Sequence, residues 1–336
     1  MTDTRDNVAS VIERTRAVQP EAPIVAVHFL ASTAFFVLGE NHLLVVPPDG
    51  EPRRITVHAG GILAADADHD RVLTGGDDGK VVAVNVDGEV RTVMTDPKRR
   101  WIDHVAAGPD GAIAWSIAKT AFIQSRKREE KGIELTSSVG GLAFAPRGFR
   151  LAVAHYQGVT LWFPNANAAP ERFDWKGSHL GVTFSPDARF LVTAMQEPAL
   201  HGWRLADRKD MRMSGYSAKV RSLSWTAAGK WLATSGSTQL IVWPFQSKDG
   251  PMGKTPKILA PHEHGVVVVA AHPRDDVVAV GYEDGLVLLV RVEDGAEILA
   301  RKPGNSPVTA LAWDRSGALL AFGTEDGDAG IINLGA

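Results

Sequence analysis

The chain has 336 residues, 44% hydrophobic and 22% charged, with a formal net charge of −3 and no cysteine. That balance gives no global basic field to hold nucleic acid or acidic lipid, and the missing thiols exclude disulfides, thiolate zinc sites and cysteine nucleophiles. The start, MTDTRDNVAS, has no apolar signal core and no run approaches about 18 apolar residues, so a soluble, cytoplasmic protein without membrane contact is expected, with Ala, Gly, Val and Arg usage that suits a high-GC bacterium.

Residues 1–7 are expected to be disordered, and 8–336 to form one domain. The segment VASVIERTRAVQP at 8–20 reads as a short amphipathic helix in isolation, but its position favours a strand. RTRAVQPEAPIVAV at 14–27 aligns with ILARKPGNSPVTAL at 298–311, a junction inside the repeat that follows.

From residue 24 onward a four-strand pattern recurs about every forty residues, as in the blades of a β-propeller. The first strand of each unit ends at Phe29, Ala65, Ala107, Phe144, Phe184, Trp225, Ala271 and Trp313. Ten residues on stand Gly39, Gly75, Ile117, Ala154, Ala194, Ser235, Gly281 and Gly323, small in all but one case. Fourteen residues on, Gly79, Gly158, Gly285 and Gly327 recur, three of them after Asp. Asp-Gly is a favoured hairpin turn, because glycine takes positive φ freely. The units run 24–58, 62–95, 101–137, 139–175, 179–215, 220–260, 266–302 and 308–334. The last has no room for a fourth strand, so residues 10–18 are expected to supply it and close the fold. The count is eight four-stranded blades, with seven as the alternative should the degenerate unit 101–137 fail to form a sheet. The charge run RKREEKG at 126–132 reads as a solvated hairpin, and the long insertion PFQSKDGPMGKTPK as a surface loop.

This pattern resembles the WD40-repeat family. The resemblance rests on the SPDA turn at 185–188, the turns at 75–79, 281–285 and 323–327, and the strand-ending Trp162, Trp203 and Trp243. None of these three tryptophans is followed by Asp, and the family's Gly-His pair survives as GSH at 177–179 and HEH at 262–264. The resemblance implies an all-β, WD40-like β-propeller and a non-catalytic protein-interaction scaffold. With the family's polar network thinned, apolar packing is expected to carry more of the stability.

Chemistry-bearing motifs are sparse. Gly253-Lys254-Thr255 ends like a phosphate loop, but Lys248 stands where the first glycine belongs and a strand follows instead of a helix. His262 and His264 have the spacing of a metal-ligand pair on a loop, while His155, His179 and His201 differ in strand position. No G-x-S-x-G elbow occurs, and most carboxylates sit in turns. No cofactor and no catalytic residue are expected, with a channel enzyme or a histidine metal site as the rival reading.

The binding reading rests on one face, where second-to-third-strand turns and fourth-to-first-strand connections meet. Arg99, Arg100 and Trp101 fall there, preceded by Lys98, together with Tyr156, Trp175, Lys176, His179, Tyr216, Lys219, Arg221 and Tyr282. Tyr, Trp and Arg dominate binding hot spots. The natural complement is an acidic or mixed acidic-apolar protein segment bound to a monomer. Single-stranded nucleic acid could use the same residue types, but the negative net charge disfavours it.

Overall fold

The computed structural model describes residues 9–127 and 129–335. The expected disordered residues 1–7 and part of the 126–132 hairpin lie outside them. Among the described residues there is no α-helix. Two single 3-10 turns, Ile12–Arg14 and Pro109–Gly111, interrupt an otherwise antiparallel β structure. The chain falls into two compact units: one built from its two ends, up to Ser32 and from Arg221, and one spanning Thr33–Val220.

The unit built from the chain ends holds three four-stranded sheets among its described residues. Two are simple meanders, Leu223–Trp225 through Lys257–Leu259 and Val266–Ala271 through Glu297–Arg301. The third takes its first three strands from Val308–Trp313, Leu319–Thr324 and Ala329–Asn333, and its outer strand from Thr15–Val18. Thr15 pairs with Ile332 and Val18 with Ala329, so the N-terminal segment completes the last repeat, as its sequence position requires. The expected strand 10–18 is two pieces, split by the 3-10 turn. Upstream of that turn Ser10 bridges Leu299 in parallel, with Leu299 N–H donating to Ala9 O and Val11 N–H to Leu299 O. The segment therefore covers edges of two neighbouring sheets, which would otherwise present unpaired backbone groups.

The unit Thr33–Val220 holds strands Thr33–Leu38, His42–Val46 and Arg53–Thr56, then sheets Ile62–Thr95 and His104–Glu134 in outline. Unit 101–137, the one expected to be weakest, forms its own four-stranded sheet. The irregularity lies in the next two repeats. Leu151–Trp162 and Glu171–Phe184 run unbroken through their repeats, so the two neighbouring sheets are joined through Glu171–Phe184.

A straight strand would put His155 and Thr160 about 16 Å apart, yet His155 Nε2 and Thr160 Oγ1 are 2.9 Å apart. The chain must fold back between them, at Gln157 and Gly158, whose φ values are 71° and 141°. Both repeats thus keep their four strand segments, but Glu171–Phe184 is shared. It pairs with 158–161 on one stretch and with 191–195 on the next. Grouped by unbroken strands the sheets number seven among the described residues, but the ladders on either side of residue 178 belong to separate sheets, so each of the eight expected units keeps its four strand segments. Glu171–Phe184 runs unbroken because the connection at 176–178 stays extended.

The recurring small residue has a direct physical cause. A Cβ on Gly75 would lie 2.7 Å from Ile102, on Gly281 2.7 Å from Val308, and on Gly323 2.5 Å from Ile24. The second strand of each of these repeats is pressed against the inner strand of the next. Packing follows the same pattern: Val278, Val280, Leu288 and Val290 meet Ala233, Leu240 and Val242 of the preceding sheet. Each such fully buried side chain contributes about 1.5–3 kcal/mol.

Candidate interaction surface

The loop between Val90–Thr95 and His104–Ala107 is organised by one carboxylate. Asp96 is 4% exposed. Its backbone N–H donates to Gly79 O at 2.8 Å, and its carbonyl accepts Arg99 N–H at 3.0 Å. Its carboxylate accepts the Arg100 backbone N–H (2.9 Å), Arg100 Nη2 (2.7 Å) and Arg100 Nε (3.2 Å). The Arg100 guanidinium holds the Asp96 carboxyl down to about 2. The loop is pinned at its far end by Ile102 N–H on Gly76 O, with the Ile102 side chain fully buried. Arg99 adopts φ 50°, a left-handed turn over Gly79, whose own φ of 77° leaves no room for a Cβ. Between these fixed points Trp101 is held out to solvent, 63% exposed. Arg99 is exposed and has no ion pair among the described residues, whereas Arg100 is committed to Asp96. In sequence the two arginines are indistinguishable. The structure separates them.

The other candidates divide by burial. Tyr156 is 53% exposed on the hairpin after His155, its backbone N–H donating to Ser137 Oγ at 3.0 Å. Trp175 is half-buried, its ring stacked 3.9 Å from that of His201. His179 is buried, with Nδ1 2.7 Å from Thr193 Oγ1 and Nε2 3.1 Å from Trp175 O. Tyr216 is buried, and Lys219 Nζ donates to Gln196 Oε1 at 2.8 Å. In the other unit Arg221 is exposed, but Tyr282 is fully buried, its hydroxyl donating to Ala260 O at 2.6 Å. Of the three tyrosines expected in loops, Tyr216 lies in one, while Tyr156 and Tyr282 belong to strands; Tyr216 and Tyr282 are buried and Tyr156 is the exposed one. His179 is likewise a structural residue.

His262 does not pair with His264 for a metal. Its Nε2 lies 2.8 Å from Asp284 Oδ2 and its ring packs on Tyr282. Among the described residues no group of three or more metal-ligating side chains assembles. The same polar chemistry recurs at a place the sequence reading missed. His58 Nδ1–H donates to Asp78 Oδ1 at 2.9 Å, and Thr74 Oγ1–H to His58 Nε2 at 2.8 Å. Burial opposes the Asp78 charge, but the Ala59 amide and His58 outweigh it and hold its carboxyl below the ordinary range. The histidine, strand threonine and turn aspartate of the family's network are therefore present in the second repeat. The signal was Asp78 before the turn glycine with a histidine twenty residues upstream, masked because Ala59 and two glycines follow that histidine.

Comparisons with known proteins agree with this architecture. Residues 209–244 match the family described as WD domain, G-beta repeat, and residues 264–335 match the Anaphase-promoting complex subunit 4 WD40 domain. The crystal structure of the computationally designed Ika8 protein superposes with a TM-score of 0.76 at 16% identity, covering 94% of this chain and 97% of that one. No curated protein matches the chain in sequence. The strand repeat, the Asp-Gly turns, the His58–Thr74–Asp78 network and these matches lead to one conclusion: the chain is a β-propeller with WD40-type repeats, matched as such over 209–244 and 264–335.

Proposed function

We propose that this propeller is a non-catalytic interaction scaffold, acting as a single-domain cytoplasmic monomer, which captures an acidic, partly apolar segment of a partner protein through the 96–102 loop. The observation that carries this reading is Trp101, 63% exposed on a backbone fixed by a buried carboxylate. A tryptophan gains much from being covered, burying roughly 150–250 Å² of side chain. A loop already rigid loses little further freedom on binding. Lys98 and Arg99 flank it with charge that an acidic segment complements, which speeds encounter and fixes orientation. A propeller fold fits a scaffold role because the family mostly presents loops to partners.

The test is affinity capture with the intact tagged protein, comparing wild type, Trp101→Ala and Arg99→Glu. Truncating a central aromatic anchor typically costs about 2 kcal/mol or more, about thirtyfold in affinity. Both variants are expected to fold and to lose the main partner. Arg100 is the wrong probe, since changing it strips Asp96 of its counter-ion. A folded Trp101→Ala protein that retains the same partners in the same amounts would move the binding surface elsewhere.

A further inference from the structure

The shared strand Glu171–Phe184 carries a cluster of rings that the interaction surface does not use. His201, on Leu200–Arg204, is fully buried and neither ring nitrogen makes a hydrogen bond. Trp175 stacks on it at 3.9 Å with planes 16° apart, and Trp203 meets it edge-on at 4.8 Å. Its neighbours are titratable or charged on each element. His179 of the shared strand stands edge-on at 6.5 Å. From the outer strand Asp210–Met213, Asp210 Oδ2 lies 3.4 Å from Nε2, misaligned for a bond, and Arg212 is the directly paired residue. Further out, Glu197 acts on His179, and His155 lies within electrostatic reach of His179, with Arg172 and Asp174 acting on it in turn.

We propose that the Trp175–His201 stack makes the 171–178 half of the shared strand an acid-released segment, which leaves its pairing with 156–161 when His201 takes a proton. The closed junction has no aligned acceptor for an imidazolium. An indole face attracts a cation, but Arg212 and His179 repel it and water is excluded. Burial accordingly holds the His201 imidazole down to about 3. Trp175 is only half-buried, and Gly177, at φ 111°, and the bulge between His179 and Gly181 mark where the strand is already irregular. Opening there brings water to the imidazole and disturbs the fewest ladder bonds. The freed stretch carries Trp175 and Lys176, so acid would uncover an aromatic and a cation beside the loops of this unit.

The test is hydrogen exchange on the full chain at several pH values, corrected for intrinsic rates, with tryptophan fluorescence alongside. One proton gained on opening makes the opening constant of 171–178 rise about tenfold per pH unit between about pH 6 and pH 4. Strand Phe190–Met195 should stay protected over that range. His201→Phe keeps a stacked ring without a titrating group, and should flatten the rise. Should that variant fail to fold, Asp210→Asn on the half-exposed edge serves, and the rise should move to lower pH because the opened imidazolium loses its neighbouring carboxylate. The proposal is overturned by an unchanged rise in His201→Phe, by no local rise in wild type, or by an Asp210→Asn rise at or above the wild-type pH. Quenched fluorescence with unchanged exchange would also overturn it, since the indoles would then be caging the cation in the closed sheet.

Discussion

The 96–102 loop and the 171–178 strand segment each hold a tryptophan beside a buried ionisable group, and they treat that group in opposite ways. At Asp96 every lone pair direction that matters is used: a backbone N–H, a guanidinium and the turn backbone converge on it. The loop has one arrangement, and its tryptophan faces water. At His201 the ring has indoles where partners would be. Its tryptophan is drawn inward as a lid. A satisfied buried charge produces a rigid display, whereas an unsatisfied buried base produces a segment whose closure depends on protonation.

A third region sets the energy scale for both. Deleting residues 1–20 removes the outer strand of the last sheet and the cover over Leu299. The expected loss is several kcal/mol or outright aggregation, against a total stability typically about 5–15 kcal/mol. An unchanged melting temperature would contradict it. Asp96→Ala comes next. It strips several donors of their buried acceptor, and a loss of about 1–3 kcal/mol in denaturant unfolding is expected, with faster exchange in 97–102. His201→Phe breaks the comparison from the other side. Removing an unsatisfied buried polar group while keeping the stack should leave stability at pH 7 unchanged or raised by up to about 1 kcal/mol. A loss above about 2 kcal/mol would mean that His201 has a partner after all.

The two regions should also separate on the pH axis. The folded His201 lies at about 3, below an unfolded value of 6.5, so the unfolded state binds the proton first. Its contribution is complete above about pH 6.5 and is lost progressively as pH falls toward 3, by at most about 1.4 kcal/mol per unit. Asp96, held at about 2 from 3.8, contributes above its unfolded value and loses that contribution as pH falls through 2. Acid unfolding of wild type should show the first window, and His201→Phe should make it shallower without abolishing it, because burial also holds His104, His155 and His179 down. The smallest expected effect is that of Arg99→Glu on stability, within about 0.5 kcal/mol, because the side chain is exposed and unpaired.

The propeller was legible because its rules are local. Glycine ten residues after the first strand is a close approach between strands, and glycine fourteen residues after it is a turn. Both leave a fixed spacing that survives without alignment. The N-terminal strand was legible by subtraction, since one repeat lacked a fourth strand. The unbroken run of 171–184 was not, because whether 176–178 loops out or stays extended depends on how Gly177 and His179 pack, which spacing does not encode. Side-chain direction was equally hidden. Tyr282 and Tyr156 stand one residue out of step in their repeats, and Tyr282 faces inward, where its hydroxyl reaches the Ala260 carbonyl. The Asp96 hub escaped notice because Asp96 reads as one more turn aspartate before a basic run, and only the coordinates show Arg100 folding back on it.

The most direct test of the scaffold reading is the affinity of intact protein for a library of peptides that vary acidic and apolar content, measured for wild type and Trp101→Ala in parallel. The prediction is that peptides combining Asp or Glu with Leu or Phe bind best, and that Trp101→Ala weakens them about thirtyfold while its melting temperature stays unchanged. Equal affinity of the two proteins for the same peptides would contradict it.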